Sequence, residues 1–334
     1  MTALQFQELD ADEARSSLKQ EAAVLVAIFA ASQLRLRRIL SRAIGEPDRR
    51  RFSSMLQQLD IEISRLNREA GNWNKSALPL AYNQSRDMTR QHLISLGLQI
   101  GKPKLASFHD QALQLILQQT AADILTATDG IKTQIGRYIR ASQQSLLTDR
   151  AISETLAAGV RAGAGTLTIA KQIETQLRSV MGEEKFVLVN GRHYTPEFYS
   201  QLIARTRIKE AMTQATVLTA AENGIDLVQN DIHAGACPIC RTHMGRTYSI
   251  SGRSEFFPPL VNPPPRHPHC VCFLIPVALD SLIQSGELEA SSRLSLNAPT
   301  PKTEKEAQEW LDRNQDMDLN SVGDYKMWIN RNRG

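Results

Sequence analysis

Residues 231–240, DIHAGACPIC, and 262–272, NPPPRHPHCVC, hold every cysteine of the chain: Cys237, Cys240, Cys270 and Cys272. The rest of the 334 residues contain none. Three of the seven histidines, His243, His267 and His269, lie between or beside them, and His233 stands just ahead. Such clustering asks for a common purpose. Zinc takes about four thiolate or imidazole ligands in a tetrahedron. Cys237 and Cys240, with Pro238 between them, form a tight turn whose two sulfurs can face one ion. Cys270 and Cys272 can supply the second pair; if both lie on a strand they share a face and Val271 points away. His267 and His233 are rival ligands.

Two other readings stay open at this point: buried thiols acting as small apolar side chains, or disulfides formed outside the cell. A catalytic zinc keeps an open position beside an acid or base. Between 227 and 279 the only acids are Asp231 and Glu255, and neither stands in a catalytic motif. A structural ion is therefore expected over a catalytic one.

Composition sets the frame. Hydrophobic residues make up 42% and charged residues 22%, as in ordinary folded chains, and the net charge of +4 permits contact with nucleic acid without demanding it. Aromatics are sparse at 5%, which with abundant Ala, Leu and Gln favours helix over sheet. The run AAVLVAIFAA at 22–31 is about half the length a membrane span needs. The acidic segment before it does not resemble a secretory signal. A cytoplasmic, membrane-free chain is expected when the protein is made.

The expected fold is α+β but predominantly α. An elongated helical region covers 1–180, a small α+β zinc-knuckle-like module 186–280, a polar linker 281–302 and a helical tail 303–334. Ala22, Val26, Phe29, Leu36 and Leu40 keep to one helical face, as do Leu113, Ile116, Leu117 and Ile124. Ile169, Ile173, Leu177 and Val180 mark a further helix after the glycine-rich stretch 157–168. Pro47 and GNWNKSALPLAYNQS at 71–85 read as breaks. In KFVLVNGRHYT at 185–195 the Asn-Gly pair signals a hairpin. Thr195 then caps a helix with Pro196 in its first turn, ending at Gly224. Ala204, Ile208, Ala211, Ala215 and Leu218 give that helix a stripe of mostly small residues. Short strands are expected within 225–232, 245–250 and 270–279. The proline-rich 262–268 suits neither helix nor central strand. A last helix begins at Thr303, with Glu306 completing a capping box.

The order of features over 186–276 resembles the tailed-phage minor capsid or head-morphogenesis proteins, most closely the minor capsid protein 2 group, related to the Mu-type head proteins. Arg205 and Thr206 open the long helix, Gly224 closes it, and Cys237 with Cys240 forms the CPxC turn. Gly245 and Tyr248 follow, then His267, Pro268 and Cys270. Two positions depart from the pattern: Arg207, where relatives often carry an acid or threonine, and Val271, where they often carry arginine. The resemblance implies a particle protein and not an enzyme. It implies portal protein, major capsid protein or scaffold as partners, a place in the virion head or at the portal vertex, and a part in DNA packaging or ejection. The alternative is a zinc-containing nucleic-acid-binding protein or HNH-like nuclease, which would need a second catalytic histidine after Cys272.

One basic run, LRLRRILSRAIGEPDRRR at 34–51, carries Arg35, Arg37, Arg38, Arg42, Arg49, Arg50 and Arg51 against only Glu46 and Asp48. It is a candidate contact for packaged DNA or for the portal; a solvated helix side is the competing reading. Arg35, Arg38 and Arg42 at helical spacing would share one exposed face. His92 and His109 stand alone in the sequence. Trp310 and Trp328 are expected to anchor the tail on another helix or subunit.

Overall fold

The computed structural model describes residues 3–41, 49–101, 104–148, 187–189 and 192–332. It is predominantly helical, with one small three-stranded antiparallel sheet. The chain forms two compact units: residues 1–22, 75–118 and 204–334 make the first, 23–74 and 119–203 the second.

Three long helices, α1 (Ala3–Ser41), α2 (Arg49–Ser95) and α3 (Ala106–Thr148), supply the second unit with their residues 23–41, 49–74 and 119–148. On α2 the buried positions Phe52, Met55, Leu59, Ile63, Leu66, Ala70 and Trp73 recur every three or four residues. Leu25, Phe29 and Leu36 do the same on α1, and Ile124, Ala127, Ile131, Ile135 and Ile139 on α3. Such stripes bury against one another and leave the polar sides to water. Thr128 Oγ1 donates to Asn67 Oδ1 at 2.8 Å, and Lys132 pairs with Asp60 at 2.8 Å, so α2 and α3 run antiparallel here. A hairpin of β1 (Val187–Val189) and β2 (Arg192–Tyr194) completes this unit, in the register Val187 to Tyr194 that a two-residue Asn-Gly connection requires.

The break expected across 71–85 does not occur. Gly71 and Pro79 both lie inside α2. Ala70, Trp73, Ala77, Leu78, Ala81 and Tyr82 are buried, and burying them at helical spacing outweighs the lost hydrogen bond at Pro79. Pro47, the stretch 157–168 and the helix expected around Ile169–Val180 lie outside the described residues.

In the first unit α4 (Pro196–Glu222) leads into the sheet; its residues from Ala204 on belong here. Thr195 Oγ1 accepts the Phe198 N–H at 3.2 Å, the expected cap, and Gly224 takes φ +79° at the far end. Ala204, Ile208, Ala211 and Ala215 are buried as the small-residue stripe anticipates, while Leu218 is half-buried. The sheet has the order β4 (Thr247–Ser249), β3 (Leu227–Asn230), β5 (Leu274–Val277), all antiparallel, with β3 buried along its length. Between β3 and β4 lies the one-turn helix α5 (Pro238–Arg241).

The stretch read as a polar linker carries two helices, α6 (Leu279–Gln284) and α7 (Leu288–Leu296). Ala290 and Leu294 point inward, so even a polar segment keeps an apolar face. Helix α8 (Glu304–Arg313) starts as expected: Thr303 Oγ1 accepts the Glu306 N–H at 3.2 Å. The Glu306 carboxylate reaches back one residue further than a capping box predicts, to Lys302 N at 2.8 Å. Helix α9 (Val322–Asn332) is no loose tail. Its Tyr325, Trp328 and Ile329 pack with Ile232, Met244, Ala290, Leu294 and Leu319 in one core. Gly245 sits at φ +67°, and a Cβ there would lie 2.7 Å from Tyr325 Cδ2; glycine is what lets α9 approach.

Candidate metal centre

Strand β3 exits through Asp231 into His233, and the chain then turns at α5. Cys237 precedes that turn and Cys240 lies in it; the Arg241 N–H donates to Cys237 O at 2.9 Å, so both sulfurs emerge from one tight loop. The segment 262–268 contains neither helix nor strand, and the Cys270 N–H donates to His267 O at 3.0 Å. That bond brings His267 and Cys270 to the same side. β5 begins only at Leu274, so Cys270 and Cys272 do not share a strand. They lie in the loop before it, held by Asp231: its N–H donates to Phe273 O at 3.0 Å, and its Oδ1 accepts the Phe273 N–H at 2.7 Å.

His267 Nε2 lies 3.1 Å from Cys237 Sγ and 3.0 Å from Cys240 Sγ. Cys240 and Cys270 sulfurs are 3.7 Å apart, close to the spacing of about 3.8 Å that two sulfurs take on one tetrahedral zinc. Cys272 Sγ closes a group with Cys240 and Cys270 on one side, and with Asp231 and His233 on the other. Cys240, Cys270 and Cys272 are buried and Cys237 is half-buried; no two are joined as a disulfide. These residues could hold a metal ion.

The thiols share protons unequally. The hydrogen bond from Cys240 pulls Cys237 down to about 4, with His267 adding to the effect. Hydrogen bonds from Cys240 and Cys272 hold Cys270 far below the usual thiol range. Donation to Cys237 raises Cys240. Cys272 also ends above its ordinary value: the Cys240 hydrogen bond lowers it, but donation to Cys270 and burial outweigh that. His267 is raised by its contact with the Cys237 sulfur. Thiols whose pKa is drawn down give up their protons to a metal more readily.

Around this cluster stand residues, Lys209 and Arg246 among them, that the sequence did not single out. Lys209 is fully buried, its Nζ 2.9 Å from the centre of the Phe273 ring, and burial pulls its pKa down to about 7. The guanidinium of buried Arg246 lies 5.3 Å from the Trp310 ring, while Trp328 is in the core of α9. Farther off, Tyr82 Oη meets His109 Nδ1 at 2.7 Å, and His92 Nε2 donates to Pro276 O at 2.9 Å. Nothing in residue spacing marks Lys209 or Arg246 or gives His92 and His109 their partners, whereas Trp310 and Trp328 do meet other elements as expected.

The basic run divides. Arg35 does not join an exposed basic face: its Nε donates to Glu62 Oε1 at 2.8 Å and its Nη2 to Glu69 Oε2 at 3.4 Å. Both acids are on α2, out of view of the local sequence. Arg38 is exposed. Arg42 and the side chains of Arg37, Arg49, Arg50 and Arg51 lie outside the described residues. No described helix is long and apolar enough to cross a membrane.

A family model described as phage minor capsid protein 2 matches residues 86–257, just over half of the chain. The chain belongs to the phage minor capsid protein 2 family. The match begins inside α2, so it extends well upstream of the 186–276 segment that carries the visible motif. It includes Cys237 and Cys240 and stops before His267, Cys270 and Cys272, which complete the cluster. Comparisons with curated proteins and with solved structures give no significant match. As a minor capsid family member the protein has a structural role in the phage head.

Proposed function

We propose that this minor capsid protein works at the portal vertex or on the inner face of the shell, as an assembly component and not as an enzyme, and that zinc holds its C-terminal module together. Family membership carries this reading. The cysteine and histidine cluster supports the zinc: close sulfur and imidazole donors suit that ion, and the preferred set is the group Cys237, Cys240 and His267 with Cys270, whose sulfur lies 3.7 Å from that of Cys240. Bound there, zinc would supply cross-linking between the α5 turn and the loop before β5, and no chemistry is asked of it. The sheet of this unit has strands of only three or four residues, so a metal bridge adds folding free energy that the strands lack. Contacts to portal protein, major capsid protein or scaffold, and to packaged DNA through Arg38 and its neighbours, belong to the same proposal.

Quantitative mass spectrometry of purified empty proheads and filled virions tests it. A low, reproducible copy number per particle is expected, and a change between the two states would assign the protein to packaging or ejection. Absence from both particles, together with divalent-metal-dependent plasmid cleavage abolished by His267→Ala, would replace this reading with the nuclease one.

A further inference from the structure

Seven side chains with ligating atoms converge where β3 ends and β5 begins: Asp231, His233, Cys237, Cys240, His267, Cys270 and Cys272. One tetrahedral ion uses four of them. Cys237, Cys240 and His267 form one close group, and Cys270 lies 3.7 Å from Cys240. That set leaves Cys272, which is buried, with its sulfur 3.5 Å from His233 Nε2. The ligand atoms of Asp231, His233 and Cys272 all lie within 4.8 Å of one another.

The tautomer of His233 is informative. Its Nδ1 lies 3.2 Å from Ala234 O, a group that can only accept, so Nδ1 carries the proton. In the neutral ring Nε2 is then bare, and it is this nitrogen that faces Cys272. Metal-bound histidines are oriented in this way, by donating the other N–H to a carbonyl or carboxylate. Asp231 is likewise prepared. Its Oδ1 accepts the Phe273 N–H, its Oδ2 pairs with Arg15, and each oxygen keeps a further lone pair. Ligating carboxylates are commonly hydrogen-bonded in this manner. Half-buried His233 gives the group a side toward solvent, whereas Asp231 and Cys272 are almost wholly enclosed.

We propose that the module holds a second zinc ion, on Asp231, His233 and Cys272, beside the one on Cys237, Cys240, His267 and Cys270. This rests on the reading that the cluster binds zinc at all. The two ions divide the seven donors into a set of four and a set of three, with a solvent molecule completing the second tetrahedron. The first ion joins α5 to the proline-rich loop. The second joins the end of β3 to the start of β5.

The test is a metal count on the full, untagged chain, reduced, loaded with zinc chloride and desalted, by native mass spectrometry with elemental analysis. Two zinc ions per chain are expected, falling to one in His233→Ala with the first site retained. One ion in the parent chain, or two remaining in His233→Ala, overturns the second site and leaves the first standing. No bound zinc overturns both. The count on the parent chain decides even where the variant does not fold.

Discussion

Burial disfavours the charged form of both His243 and His109. Burial holds His243 at about 2, with Arg266 and Arg246 pushing the same way, and its Nδ1 stands 2.7 Å from Tyr248 Oη. Burial also lowers His109, outweighing the opposite pull of Glu222. As pH falls below about 6.5 the unfolded chain takes up protons at these histidines more readily than the folded chain. The unfolded state then binds more protons, so stability drops with falling pH. Each histidine adds a slope of up to about 1.4 kcal/mol per pH unit. Urea unfolding at several pH values between 7.5 and 5.5, with zinc saturating, is expected to show this loss. The double variant His109→Gln, His243→Gln should flatten it; an unaltered slope would show that the two rings are not the source. In the sequence these histidines look no different from exposed ones. Only Tyr82 on α2 and Tyr248 on β4 reveal their burial.

Among the elements, helix ends were the most legible feature. Thr195 with Pro196, Gly224, and Thr303 with Glu306 each mark an end by local hydrogen bonding or backbone preference, which needs no distant partner. Helix interiors were less so, and α2 shows why. Gly71 and Pro79 are local breakers, but the buried stripe around them sets the outcome. Pro79 supplies no N–H to the helix, at a cost of about 3 kcal/mol in a regular helix interior. Pro79→Ala is therefore expected to stabilise the protein by up to about 3 kcal/mol, read as a raised urea midpoint. A lowered midpoint would mean that the proline ring itself is needed in the packing around Leu78 and Tyr82. The cysteine loop belongs to this scale too: spacing suggested a strand under Cys270 and Cys272, and the structure gives a loop tied to Asp231 instead.

At the scale of the molecule, the C-terminal helix is part of the core that carries Ile232 and Met244, beside the cysteine cluster. Tyr325 Oη accepts from Gln229 Nε2 at 3.0 Å, and Tyr325, Trp328 and Ile329 pack on Ile232 and Met244. Burying each such side chain contributes about 1.5–3 kcal/mol, and three together rival the whole stability of an ordinary domain, about 5–15 kcal/mol. Ending the chain after Ser321 is expected to abolish cooperative unfolding of this unit and to lower its zinc content. A truncated chain with parental zinc and an unchanged thermal transition would show that α9 is dispensable. The sequence by itself determined the helical class, the caps, the hairpin, the minor capsid motif and the collection of cysteines, because each is written within a few residues. The tertiary structure alone decided that α2 continues through Pro79, that Arg35 is spent on Glu62, and that Asp231 and His233 stand beside Cys272. Those outcomes depend on segments far apart in the chain, whose meeting is set by burial and antiparallel pairing and leaves no local mark.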